Sequence, residues 1–113
     1  MSTYTLIKNE EFFIGWVFKV NTSTPKNLTG YTPLVQIRPT KASETILASY
    51  DSSSPYMTFE PVSGLVSIEL PPSITGAITW KNAVIDCLVY NSTDGDRSPT
   101  YELIVDSGVS RPA

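Results

Sequence analysis

The fold is decided by the stretch LTGYTPLVQIR, residues 28–38. Thr29 and Gly30 form a turn signal, after which apolar Val35 and Ile37 alternate with polar Gln36 and Arg38. Alternation with a period of two residues predicts a strand with one face in a core and the other in water. Because the same pattern recurs along the chain between clusters of turn-forming residues, the sequence predicts an all-β protein.

Length and composition predict one domain with an ordinary hydrophobic core. The chain has 113 residues, of which 41% are hydrophobic and 17% are charged. A chain of this length can bury one continuous core, so we expect a single β-sandwich domain over residues 1–113. Residues 107–113, which follow the last predicted strand, are expected to form an extended C-terminal tail.

Charge and residue usage argue against several classes of function. The formal net charge is −3 and the eight Lys and Arg residues are scattered, which argues against nucleic-acid binding. Histidine is absent, and the single cysteine, Cys87, cannot complete a disulfide or a zinc cluster within one chain. No signal-peptide pattern opens the chain, and no apolar run approaches the ~20 residues of a membrane helix. We therefore expect a non-enzymatic protein without a cofactor, a metal or a membrane partner.

The order of apolar runs and turn clusters predicts about seven to eight strands in an antiparallel β-sandwich or a small barrel. A short helical turn is expected near residues 73–78, because two prolines end the strand before it and Ser73 is a suitable N-cap. The turn at residues 61–64 should close a hairpin, with Gly64 at positive φ. A longer, exposed loop is expected around Asp94 and Gly95. The predicted strands are residues 4–8, 12–20, 31–38, 45–50, 56–60, 65–70, 83–90 and 101–106.

One strand does not alternate. Residues 12–18, FFIGWVF, are apolar at nearly every position, so the strand is either covered on both faces or meets a partner with its second face. From this strand, the expected core includes the odd-numbered residues Phe13 and Val17. That core is Leu6, Phe13, Val17, Val35, Ile37, Leu47, Phe59, Val66, Ile68, Leu70, Ile85, Cys87, Val89, Leu103 and Val105.

Seven short motifs stand out along the chain: FFIGW (12–16), NLTGY (27–31), VQIR (35–38), GLVSIEL (64–70), ITG (74–76), VIDCLV (84–89) and LIVDSGVSR (103–111). Together they resemble the motifs of a widespread group of small proteins of tailed bacteriophages. The resemblance covers most of the chain and departs from the group's pattern at Gly15, which precedes Trp16 where the group has a glycine-aspartate after the tryptophan. A second departure is the final strand, where only Gly108 represents the group's glycine.

This resemblance implies an immunoglobulin-like sandwich that works in a virion. The expected function is capsid decoration, in which the protein cements the shell by binding the major capsid protein or other virion proteins, with self-association into a homo-oligomer. A baseplate, neck or tail-fibre adaptor is the alternative, and a carbohydrate-binding module is the third. The expected location is the virion, at the capsid surface or in the tail, after synthesis in the cytoplasm of the bacterial host.

Two sets of residues are candidates for these roles. The first is a structural ion pair between Arg38 and Asp86, polar residues beside apolar neighbours on two strands, which would fix the strand register. The second set is a protein interface formed by the apolar strand and the tail. Its candidate residues are Phe12, Ile14, Trp16, Phe18, Val109 and Arg111.

Overall fold

The protein is a sandwich of two β-sheets, seen in a computed structural model that describes residues 2–109. The predicted all-β sandwich is confirmed. Within residues 2–109 there are nine strands, one more than the upper end of the predicted range, and one four-residue helix. These elements are β1 (Thr3–Ile7), β2 (Phe12–Val17), β3 (Thr32–Arg38), β4 (Ala48–Asp51), β5 (Met57–Glu60), β6 (Leu65–Leu70), α1 (Pro72–Thr75), β7 (Asn82–Tyr90), β8 (Gly95–Arg97) and β9 (Tyr101–Asp106).

The strands form two sheets of unequal width. The larger sheet has the order β1-β9-β7-β3-β4, with β8 also paired to β7, and the smaller sheet has the order β2-β6-β5. The β1–β9 pair is parallel and the other strand pairs are antiparallel. In immunoglobulin nomenclature, β1 to β7 correspond to strands A, B, C, C′, D, E and F, and β8 and β9 are two halves of strand G. The sheets then have the orders AGFCC′ and BED, which is an immunoglobulin-like arrangement. Strand β1 lies at the G edge of the larger sheet, so β2 is an edge strand of the smaller one.

Strand β8 lies in the segment for which the sequence predicted a long loop. It pairs with β7 from Leu88 opposite Arg97 to Tyr90 opposite Gly95, and β9 pairs further along the same side of β7. Between the two pairings, residues 86–87 of β7 face residues 98–100, so the final strand contains a β-bulge. At the bulge, the Cys87 N–H donates to Ser98 Oγ at 2.9 Å, and Ser98 Oγ donates to the Pro99 carbonyl. The serine side chain therefore supplies an acceptor to the ladder where the backbone of β8 and β9 is interrupted.

Strand β2 is in the opposite phase to the one predicted. Its even-numbered residues, Phe12, Ile14 and Trp16, are buried at 7%, 3% and 6% exposure, whereas Phe13 and Val17 are exposed at 62% and 51%. The odd-numbered positions include Gly15 and continue to Lys19, so burying the even set removes more apolar surface from water and leaves the lysine outside. The assignment of Phe13 and Val17 to the core was wrong.

The rest of the expected core is largely confirmed. Ten of its members are buried, and three pack against the core while partly exposed. Leu28 and Ala83, which the sequence did not single out, are also buried. The buried expected residues are Leu6, Val35, Ile37, Val66, Ile68, Leu70, Ile85, Cys87, Val89 and Leu103, and the partly exposed ones are Leu47, Phe59 and Val105.

Two predicted turns fix the ends of the smaller sheet. The β5–β6 hairpin is confirmed, with Gly64 at φ +69°, and a Cβ at this position would lie 2.6 Å from the Phe18 carbonyl oxygen. Only glycine fits here, because both the positive φ and the close backbone exclude a side chain. The helical turn is confirmed as α1, but its N-cap is Pro71 and not the expected Ser73, which lies inside the helix. Buried Thr75 at the end of α1 donates from Oγ1 to the Glu10 carbonyl at 2.7 Å. This bond ties α1 to the turn that leads into β2.

Candidate docking surface

A groove of about 350 Å³ crosses the outer face of the larger sheet. Half-buried apolar side chains from β3 and β7 line it, together with polar and charged side chains that reach in from β3, β8 and the loop after β3. Its lining includes Leu34, Arg38, Lys41, Val84, Asp86, Leu88 and Arg97. We call this groove the sheet groove.

The floor of the sheet groove follows from the alternation of inward and outward side chains in β3. In β3, Val35 and Ile37 point into the core, so Leu34, Gln36 and Arg38 point outward. The antiparallel register with β7 places Leu34 opposite Leu88 and Arg38 opposite Val84. Cross-strand neighbours on one face pack against each other, so the outward side chains form an apolar floor that is only half exposed.

Arg38 and Asp86 lie on adjacent strands but do not form the predicted ion pair. The register places Gln36, not Arg38, opposite Asp86. Arg38 donates instead to the Ser43 carbonyl and to Gln36 Oε1, both at 2.8 Å. The guanidinium is thus held in place by two neutral acceptors, and no carboxylate among residues 2–109 forms an ion pair with it.

The carboxylate of Asp86 is paired with Arg97 of β8. Arg97 Nη1 lies 2.9 Å from Asp86 Oδ2, and the two side chains are 54% and 18% exposed. The sequence pattern does not predict this pair, because it indicates a loop at Arg97. The spacing of Asp86 and Arg97 on either side of a tight turn was the available signal, since a hairpin brings such residues together.

The charges around the sheet groove are unbalanced. Arg38, Lys41 and Arg97 bring three positive charges to its walls, and Asp86 brings one negative charge, on a chain whose formal net charge is −3. Arg38 still has donors beyond its two bonds, and the guanidinium geometry suits a carboxylate. The groove can therefore bind an extended segment that carries an acidic side chain over its apolar floor.

The interface candidates on β2 are not on the surface of the protomer. Phe12, Ile14, Trp16 and Phe18 lie in the core at 7% exposure or less, so the prediction that they contact a partner is wrong. Alternation puts their neighbours outside instead. Of the two tail candidates, Val109 is 94% exposed, and Arg111 lies outside the described residues.

The outer face of β2 carries a small apolar patch around Gly15. A Cβ at Gly15 would lie 3.6 Å from Cζ of Phe13 and 3.3 Å from Cβ of Ser67 on β6. The Phe13 ring thus leans along the strand and covers the glycine backbone. The exposed apolar side chains of this face are Phe13 and Val17, at 62% and 51% exposure.

A second groove, of about 280 Å³, runs between residues 15–19 and the bulge that joins β8 to β9. Trp16 lines it, and the Trp16 indole Nε1 is the one buried side-chain nitrogen or oxygen within residues 2–109 without a hydrogen-bond partner. Such a group is costly unless a solvent molecule or another group accepts its hydrogen. The gap between the two sheets beside β2 is therefore incompletely filled by the protomer.

Electrostatic contacts hold the tip of the β7–β8 hairpin against the loop before β3. Lys26 Nζ lies 3.3 Å from Asp94 Oδ2 and 3.8 Å from Asp96 Oδ2, and the Tyr31 hydroxyl donates to Asp94. The hydrogen bond from Tyr31, together with Lys26, lowers the pKa of Asp94.

The tip of the β7–β8 hairpin, for which the sequence predicted a long loop, is a four-residue turn. It is closed by Asn91 N, which donates to the Asp94 carbonyl.

Cys87 lies at the centre of β7 and is fully buried. Burial, with a smaller contribution from the Asp86 charge, raises the pKa of its thiol to about 12. The thiol therefore stays protonated at neutral pH and packs as a small apolar side chain.

Two further features of the described part of the chain bear on its chemistry. No group of three or more His, Cys, Asp or Glu side chains within residues 2–109 is placed to hold a metal ion. In the same residues, no helix has the length and apolar character needed to cross a membrane. Aromatic rings can form a platform for a sugar, but six of the rings here pack in or against the core: Trp16, Tyr31, Tyr50, Tyr56, Trp80 and Tyr101. Of these, Tyr50 also contacts Tyr56 at a centroid distance of 6.2 Å.

The chain matches no family model, and it has no significant match among curated proteins.

Proposed function

We propose that this protein is a structural component of a bacteriophage virion that decorates the capsid, and that it docks on the shell through the sheet groove. The observation that carries the proposal is the state of Arg38. Its guanidinium is fixed by Gln36 and Ser43 over an apolar floor, without an ion-pair partner among residues 2–109. A cation held in this way is preorganised for a carboxylate on another protein.

Two other observations support a virion role. The sequence motifs resemble those of small phage virion proteins, and the sheet order is the immunoglobulin-like order that the resemblance implies. Fold alone does not define function, so the location in a virion rests on the resemblance and the docking mechanism rests on the groove.

The proposed mechanism is adhesion. An acidic side chain of a shell protein pairs with Arg38 and Lys41, while the backbone and apolar side chains around it cover Leu34 and Leu88. A single contact confined to the sheet groove is weak, because it is smaller than a typical stable interface, which buries ~1,600 Å² in total. On a particle with many equivalent positions, linked contacts sum to a large effect on the stability of the shell.

Copy number tests the location. In purified particles of the phage that encodes this chain, quantitative mass spectrometry compares its abundance with that of the major capsid protein. A capsid decoration protein is present in proportion to the shell subunits, because it binds each equivalent position. A few copies per particle would contradict capsid decoration and identify a baseplate, neck or tail-fibre component. Absence from particles would contradict a virion role altogether.

Glycan binding tests the remaining class. A decoration protein that docks through the sheet groove is expected to give no signal on a glycan array. Saturable glycan binding that is lost when surface aromatic residues such as Tyr4 or Tyr90 are changed to Ala would contradict the proposal.

A further inference from the structure

Strand β2 leaves one side of the smaller sheet open. It pairs with β6 on one side and with no strand on the other within the described residues. An open strand edge presents a row of N–H and C=O groups that another strand can complete.

The direction of each backbone group of β2 can be assigned. Phe18 N donates to the Gly64 carbonyl at 2.9 Å, in continuation of the β2–β6 register, so the even-numbered residues of β2 point their backbone groups at β6. On the far side of β6, Glu69 N donates to the Tyr56 carbonyl, which is consistent with this alternation. Residues 13, 15 and 17 therefore turn their N–H and C=O groups toward the open edge.

This edge lacks the usual protection against pairing. Residues 12–18 contain no proline and no charged residue, and the β2–β6 register shows no bulge. The other edge of the smaller sheet, β5, is only four residues long and is followed directly by Pro61. Natural edge strands are usually short, charged, bulged or covered. Strand β2 has six residues, is uncharged and unbulged, and has no strand beyond it within residues 2–109.

We propose that the β2 edge pairs antiparallel with the β2 edge of a second copy of this chain, across a two-fold axis at Gly15. In this register Gly15 faces its own equivalent, and Phe13 faces Val17 of the partner subunit. All the facing residues are those whose backbone groups point to the edge, so each pair can exchange two hydrogen bonds. The Phe13–Val17 contacts are aromatic with β-branched pairs, which stabilise antiparallel strands.

Charge complementarity selects this register. Continuing it by one pair in each direction places Glu11 opposite Lys19 of the partner subunit, and the symmetry repeats this contact at the other end. Both side chains are exposed, and neither forms an ion pair within residues 2–109. A shift by two residues would instead place Glu11 opposite Val17 or Lys19 opposite Phe13. An isologous interface requires such self-complementarity, and the odd-numbered residues from 11 to 19 provide it.

The inference is independent of the proposed function, because the β2 edge and the sheet groove lie on different sheets. The dimer joins two smaller sheets into one of six strands and extends over the groove beside Trp16. It leaves the sheet groove of each copy free for another partner.

Sedimentation equilibrium of the full chain at low salt tests the pairing, with charge-swap variants. Wild type is expected to dimerise reversibly with concentration. Glu11→Lys and Lys19→Glu each place like charges together twice per dimer and are expected to weaken it about tenfold, because like charges directly opposite each other destabilise paired strands. The double variant restores opposite charges and is expected to dimerise as wild type does. Glu44→Lys, at an exposed loop position, is the control for net charge and is expected to have no effect.

Amide hydrogen exchange gives a second readout that does not depend on the variants. The amides of Phe13, Gly15 and Val17 are expected to exchange rapidly at low protein concentration and to become protected as the dimer forms. A chain that stays monomeric while these amides remain unprotected would overturn the proposal. Dimerisation that is equally strong in the single and double variants, with the same three amides unprotected, would also overturn it, since it would place the contact elsewhere.

Discussion

The two outer faces of the sandwich offer different chemistry to a partner. The larger sheet presents side chains, with three cations and one carboxylate around a half-buried apolar floor. The smaller sheet presents backbone, since within residues 2–109 no strand pairs with the open edge of β2. One fold thus provides a surface that selects by charge and a surface that selects by strand pairing.

The largest expected effect separates the two faces of β2. Trp16→Ala should lower the free energy of unfolding by about 3–5 kcal/mol, because it removes a large buried side chain and leaves a cavity. Phe13→Ala should change it by less than about 1 kcal/mol, because the ring is 62% exposed. Urea denaturation of both variants measures the difference. Equal losses would contradict the assignment of the even-numbered residues to the core.

The second prediction concerns the pH dependence of stability that Cys87 causes at the centre of β7, beneath the sheet groove. The folded pKa of Cys87 is raised from 9.0 to about 12, so the unfolded thiol ionises first as the pH rises. Stability is therefore unaffected below pH 9 and falls between pH 9 and pH 12, by about 4 kcal/mol at most at ~1.4 kcal/mol per pKa unit.

Cys87→Ala is the control for this pH dependence. The variant lacks the thiol, so the stability difference between wild type and the variant should shrink as the pH rises above 9. Tyrosine ionisation affects both proteins and cancels in the comparison. A difference that stays constant up to pH 12 would show that the thiol is not held in an apolar environment.

A smaller effect tests the bulge that positions Arg97 beside the groove. Ser98→Ala removes the acceptor of the buried Cys87 N–H and should cost about 1–3 kcal/mol, the usual penalty for an unsatisfied buried donor. Ser92→Ala, at the exposed hairpin turn, is the matched control and should be neutral within about 0.5 kcal/mol. Thermal unfolding of both proteins measures the pair. A neutral Ser98→Ala would show that the side chain is not a member of the ladder.

The smallest effect concerns the Asp86–Arg97 pair. Asp86→Asn should change stability by less than about 1 kcal/mol, because Arg97 is 54% exposed and exposed ion pairs contribute little. The same change makes the sheet groove more positive, so it should tighten shell binding if an acidic segment docks there. Unchanged stability with weaker shell binding would show that Asp86 contacts the partner directly.

The sequence predicted where the strands lie better than it predicted which face of each strand is buried. The alternation in β3 and in β6 identified which side of each strand is buried, because one parity is apolar throughout and the other carries the polar side chains together with one leucine. In β2 both parities are apolar, so alternation alone could not decide between Phe12 and Phe13. Gly15 and Lys19, both on the odd parity, were the local signals that favoured the observed phase.

The contacts of charged residues were less predictable than the strands. The sequence placed Arg38 and Asp86 on neighbouring strands, which is confirmed, but pairing depends on a register that a single sequence does not specify. Asp86 pairs with Arg97 because the β7–β8 turn is tight, and Arg38 bonds to Ser43 in a loop of the same chain. The pattern of apolar and polar residues in the strands does not predict side-chain partners that depend on the geometry of turns and loops.

Shell binding by groove variants tests the central claim most directly. Lys41→Glu reverses an exposed charge that forms no ion pair within residues 2–109, and Lys81→Glu does the same outside the sheet groove. In co-sedimentation with capsid shells that lack this protein, Lys41→Glu and Arg38→Gln should each reduce binding at least tenfold, about 1.4 kcal/mol, while Lys81→Glu binds as wild type does. Equal binding by all four proteins would contradict docking through the sheet groove.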